Sequence, residues 1–168
     1  MNRLLLVVVV AACGGGVSSR VAGLFGGPSG WSAIEAPEKV TAYRITRPGV
    51  VQHVRAPDLL AGFEIMDGPR DVAEAVATEL RTILADDSIY DWERAKGCEF
   101  EPGVAFRFAK GGEDLDVLLC FNCDEFAAYR GTKRVGGEDF DVARPRLVAL
   151  VKRVFPGDEK IQALKPRR

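Results

Sequence analysis

The chain has 168 residues, 47% of them hydrophobic, enough for one folded domain with a substantial core. Charged residues make up 28% and the formal net charge is −1, a composition that fits neither a disordered chain nor a nucleic-acid binder. From Ala143 onward eight Lys and Arg stand against two acids, which fits either an approach to anionic lipid headgroups or a solvated helix face and tail.

At the N-terminus, Arg3 precedes seven apolar residues, Leu4 to Val10, and Ala11 and Ala12 then lead into Cys13. Seven are too few to span a bilayer as a helix, which takes about 20. The arrangement is that of an export signal with a small-residue cleavage site. Val10-Ala11-Ala12-Cys13 resembles the bacterial lipoprotein signal, whose cysteine is diacylated and becomes the first residue. The resemblance implies a signal peptide over 1–12, lipidation of Cys13, and a membrane-anchored place in the cell envelope, facing the periplasm or exterior. Seven glycines with serines and prolines between them make 13–37 read as a flexible tether from that cysteine. Leu24, Phe25 and Trp31 are large apolar residues for a linker, and they mark a stretch able to dock on the domain or the bilayer surface. The domain proper is then expected over 38–168.

Within it, 40–46 is rich in β-branched and aromatic residues and reads as a strand, with a second short strand over 62–66. Asp67-Gly68-Pro69 has the form of a helix start. The spacing of Val72, Val76, Leu80, Ile83 and Leu84 predicts one buried stripe on a helix reaching Ala85. Asp86-Asp87-Ser88 ends that helix, and Ile89 to Trp92 supply an aromatic lid. Two apolar runs around Gly111-Gly112 read as a β-hairpin in which Phe108 faces Leu115, Phe106 faces Val117 and Val104 faces Leu119. Phe126 to Tyr129 add a third antiparallel strand, and Gly136-Gly137 read as a turn. A last helix is expected over 142–155 with Leu147, Leu150, Val151 and Val154 on one face, then one more turn capped by Asp158. Two strands, a helix, three strands and a helix make an α+β domain: a mainly antiparallel sheet with two principal helices packed on one face.

The stretch Cys98-Glu-Phe-Glu-Pro-Gly-Val-Ala-Phe-Arg-Phe108, followed by Leu118-Leu-Cys-Phe-Asn-Cys123, resembles a group of bacterial exported proteins. These share a cysteine–aromatic–proline strand and a hairpin partner ending in Cys-Phe-x-Cys. The resemblance extends over roughly 41–164 and implies an architecture; it carries no activity with it.

With Cys13 taken by lipid, Cys98, Cys120 and Cys123 remain for chemistry. A structural disulfide suits an oxidising compartment. A thiol-exchange pair would use the Cys-x-x-Cys spacing, although Asp124 and Glu125 beside it oppose a low thiol pKa. A zinc site would take all three thiolates with His53, the only histidine. Buried free thiols are the fourth reading. Asp114/Asp116 and Asp139/Asp141 each put two carboxylates on one strand face, a pattern open to cation binding, acid–base work or plain solvation beside a turn. No motif assembles a nucleophile with a base, and no phosphate-cradling glycine loop is present. The expectation is a lipid-anchored envelope protein with a non-enzymatic binding domain, no cofactor and no nucleic acid. Its partner would be another envelope protein or a small ligand. The alternative is a thiol-redox or zinc-binding protein using Cys98, Cys120 and Cys123.

Alternation along the hairpin puts Cys123 on the face of Leu119 and Phe121, and Cys120 on the opposite one with Leu118 and Asp116. Cys98 shares the parity of Phe106 and Phe108, and a bulge at Pro102-Gly103 would bring it level with Cys123. Non-reducing peptide mapping of the exported protein is expected to return a Cys98–Cys123 cross-link with Cys120 alkylatable; a Cys98–Cys120 peptide would reverse the face assignment.

Overall fold

The computed structural model describes residues 16–49, 58–93 and 96–167. Cys13, the 1–12 segment and His53 lie outside them. Seven strands form one antiparallel sheet: β1 (Lys39–Thr46), β2 (Leu59–Leu60), β3 (Phe63–Asp71), β4 (Val104–Lys110), β5 (Glu113–Cys120), β6 (Glu125–Arg130) and β7 (Lys133–Asp139), in the order β2-β3-β1-β4-β5-β6-β7. The helices are α1 (Ser19–Gly23), α2 (Pro28–Glu35), α3 (Glu74–Ala85), α4 (Arg144–Val154) and α5 (Glu159–Gln162). The fold is α+β, as its alternating and helical apolar patterns predict.

The β4–β5 hairpin has the expected register, with Phe108 opposite Leu115, Phe106 opposite Val117 and Val104 opposite Leu119. All six side chains are fully buried and join the main core with Leu80, Ile83, Leu84, Leu147, Leu150 and Val151 from α3 and α4. The aromatic lid is also present. The Tyr90 ring packs 5.7 Å from Phe126 and 5.3 Å from Trp92, and its hydroxyl donates to the Leu84 carbonyl at 2.6 Å.

Three expectations are corrected. First, 13–37 is not a tether over its described part. Ser18 caps α1 by accepting from the Val21 N–H, and Val21, Phe25, Trp31 and Ile34 are buried in the main core. Phe25 stacks on Phe126 at 5.2 Å. The glycines that read as slack are there for close packing. A Cβ on Gly30 would lie 1.6 Å from the Phe25 carbonyl oxygen, and one on Gly136 would lie 2.1 Å from that of Leu24. The segment from Ser18 onward therefore belongs to the folded domain, and its two helices join α3 and α4 over the same face.

Second, Gly136-Gly137 is no turn. Both glycines lie inside β7, the turn falls at Gly131-Thr132, and the bare Gly136 backbone lets the α1–α2 connection lie against the strand.

Third, Asp67-Gly68-Pro69 does not start a helix. β3 continues through it to Asp71, pairing Arg70 with Ala42 and Asp71 with Thr41. Pro69 is tolerated because it falls at a register irregularity, between the Arg44–Asp67 and Ala42–Arg70 pairs, in the β1 ladder. Pairing with β1 supplies the backbone bonds that a helix would have made, and α3 starts instead at Glu74, leaving Val72 outside it.

Phe25→Ala is expected to destabilise the domain by about 3–5 kcal/mol, the range for emptying a buried phenylalanine site. Denaturant unfolding checks it; an unchanged midpoint would return this segment to the role of a linker.

Candidate functional site

The candidate site is built around the end of the hairpin. After β5, the turn Phe121 to Asp124 presents Cys123, whose side chain is 1% exposed. Cys98 lies in the irregular segment 96–103 that leads into β4, and it is exposed. The two form a disulfide with Cα atoms 5.8 Å apart. Cys120 is a free thiol, fully buried. The partners are those expected, but the geometry differs. Cys98 belongs to no strand, so no bulge is needed to slip a register, and the loop simply crosses to the turn. By chain entropy alone, a cross-link over 25 residues stabilises by about 3 kcal/mol.

The bond also settles which thiol readings remain. Two of the three thiolates proposed for zinc are bonded to each other, and among the described residues no group of three or more His, Cys, Asp or Glu could hold a metal. Cys120 and Cys123 do not pair, so their Cys-x-x-Cys spacing is not a dithiol couple here.

Arg144 shapes the turn. Its Nη1 donates to the Phe121 carbonyl at 2.7 Å and to the Asp124 carboxylate, and its Nε donates to the Lys165 carbonyl at 3.0 Å. Asp124 itself has a left-handed backbone, φ +56°, uncommon for a residue with a Cβ. By composition alone Arg144 is one more cation of a basic tail. Its position is the overlooked signal: an arginine in the first turn of a helix opposes the helix dipole and therefore calls for another role.

Beside the disulfide, Lys96 Nζ donates to the Cys123 carbonyl at 2.9 Å, hydrogen-bonds Asp141 and lies 3.5 Å from Asp139. Burial pulls the Lys96 ammonium down, but the hydrogen bond to Asp141 and the two carboxylate charges outweigh it and raise it. Burial pushes the Asp139 carboxyl up. The Asp139/Asp141 pair thus flanks a lysine.

The Asp114/Asp116 pair shares its face with Arg107. Asp116 is fully buried, so solvation does not explain it. It accepts two bonds from Arg107, at 2.7 and 2.9 Å, while Asp114 sits 3.2 Å from the same guanidinium. Burial raises the Asp116 carboxyl, whereas the hydrogen bond to Asp116 raises the Arg107 guanidinium. The second effect decides the charge state, because a bidentate bond to a guanidinium needs an ionised carboxylate. The pair is structural: all three nitrogens of Arg107 face carboxylates.

Arg44 and Asp158 join the C-terminal turn to the sheet. Arg44 Nε donates to Asp158 Oδ2 at 2.6 Å, and Asp158 Oδ1 caps α5 by accepting from the Ile161 N–H at 2.9 Å. Burial raises the Asp158 carboxyl, but the bonds from Arg44 and Ile161 and the Arg44 charge lower it further than burial lifts it.

No protein-family model matches the chain, and no match to it is found among curated proteins or among solved structures.

Asp158 has a folded pKa below its ordinary value of 3.8, so its contribution to stability is present above that value and is lost as pH falls through the lowered one. Asp158→Asn keeps a capping oxygen but removes the charge. It is expected to cost about 1–3 kcal/mol at pH 7, with the gap to the unaltered protein closing below pH 3.8. Unfolding midpoints across pH check it; a gap that stays constant with pH would mean that the charge contributes nothing.

Proposed function

We propose that the protein is a lipid-anchored bacterial envelope protein whose α+β domain is a non-enzymatic binding module for another envelope protein or a small ligand. The observation that carries it is the Cys98–Cys123 bond, since disulfides persist in oxidising compartments and are rare in the reducing cytosol. The export-like run ending at Cys13 accounts for passage to such a compartment. Asp116, Asp124, Asp139 and Asp158 each serve an ion pair that ties elements together, which gives these carboxylates a structural role. With lipid on Cys13 and α1 capped at Ser18, five extended residue steps reach at most about 17 Å, so the anchor would hold the domain close to the bilayer.

A thiol-redox role is the second reading. It is favoured by the position of the bond, which joins an exposed residue, Cys98, to a buried one, Cys123.

Cys13→Ser is expected to abolish incorporation of labelled palmitate and to leave an unprocessed precursor or a protein released from the membrane fraction. Unchanged labelling and fractionation would remove the anchor and the envelope assignment with it.

A further inference from the structure

The sheet has a second apolar face, opposite the helices. Tyr43, Ile45, Leu60, Ala105 and Leu118 are buried there, with Phe63, Phe100 and Tyr129 packed against them. None of these residues comes from a helix. Phe100 belongs to the irregular segment 96–103; its ring meets that of Phe63 edge-on at 6.4 Å, and the Arg134 guanidinium stands 5.7 Å over it.

We propose that residues 96–103 form a redox-released strap: reduction of Cys98–Cys123 frees the segment from this face and uncovers the apolar cluster beneath Phe100. This goes beyond the envelope assignment and stands without it.

The fastenings of the strap are few. Its C-terminal end is held by the ladder, through the Gly103 N–H to the Leu119 carbonyl at 3.0 Å and the Ile45 N–H to the Gly103 carbonyl at 3.2 Å. Among the described residues, no backbone–backbone hydrogen bond holds 96–102. Arg47 pairs with Glu99 at 2.5 Å and Glu101 at 3.3 Å, but those carboxylates are 70% and 46% exposed, and such pairs contribute little. The covalent bond and the Lys96 contacts therefore fasten the other end.

The bond is also asymmetric. Cys98 is exposed and Cys123 is buried, so a thiolate from a dithiol reductant attacks Cys98 Sγ and expels Cys123 as a thiolate, which takes up a proton. The second thiol of the reductant then resolves the mixed disulfide. Two electrons and two protons pass to the protein, yielding two thiols, and the reductant leaves as a disulfide. After reduction Cys123 remains fixed, because Arg144 clamps its turn through Phe121 and Asp124. On the strap side the Lys96 contacts with the Cys123 carbonyl, Asp139 and Asp141 persist, so release falls on the residues after Lys96.

Limited digestion with a glutamate-specific protease and hydrogen exchange of the full chain, oxidised and after reduction with dithiothreitol, test the proposal. Cleavage after Glu99 is expected to be at least tenfold faster after reduction, with the exchange of α3 and α4 unchanged. Binding of an apolar dye is expected to rise. Cys98→Ser should reproduce both effects without reductant. Phe100→Ala in the oxidised protein should raise dye binding with the bond intact. Unchanged cleavage after Glu99 on reduction would overturn the proposal. So would loss of protection throughout the chain, since the bond would then hold the whole fold rather than a strap.

Discussion

The Lys110–Glu113 turn sets Phe108 against Leu115, and from that single register every residue of β4 and β5 is assigned to one face of the sheet or the other. A slip of one residue would turn Phe106, Phe108, Leu115, Val117 and Leu119 outward and bring Arg107, Asp114 and Asp116 into the core. The helices can close only over the apolar set. β1 repeats the choice by pairing Val40 with Phe108 and Ala42 with Phe106, so three central strands agree on which face is covered. Arg107, Asp114 and Asp116 then fall together on the other face, where their mutual pairing makes the burial of Asp116 tolerable.

The same hairpin positions the thiols. β5 ends at Cys120 with its side chain committed to the sheet's interior, and the chain turns before Cys123. The turn is tight enough to need a left-handed Asp124, and Arg144 reaches from α4 to fasten it. Cys123 is thereby placed by rigid elements, while Cys98 arrives on a segment with little structure of its own. One end of the bond is held by rigid elements, and the other lies in a segment without a backbone ladder of its own.

The N-terminal segment shows how a packing requirement imitates disorder. Gly30 and Gly136 lack side chains because carbonyl oxygens of Phe25 and Leu24 occupy the space. In composition a glycine kept for close approach looks the same as a glycine kept for flexibility, and only the neighbour tells them apart. Phe25 and Trp31 were the discordant residues, and they lie in the core. The α1–α2 connection and β7 lock together through these contacts, so the seventh strand and the N-terminal helices escaped detection for the same reason.

Local pattern by itself determined the α+β class, the hairpin and its register, the third strand beyond it, the buried stripe of α3, the α4 helix, and the further turn capped by Asp158. Each follows from side-chain alternation, helical spacing or turn chemistry within a short window. The expected Cys98–Cys123 pairing is present, but β5 stops at Cys120 and Cys123 lies in the turn beyond it, where strand alternation no longer applies. Tertiary structure alone decided the rest. β1 recruited Asp67 to Asp71 into a strand against a strong local helix-start signal, because a paired edge strand satisfies more backbone there than an isolated first turn. Cys98 reached Cys123 across a loop rather than along a ladder. Arg144 and Lys96 acquired partners 20 and 45 residues away, distances at which sequence spacing carries no information about contact.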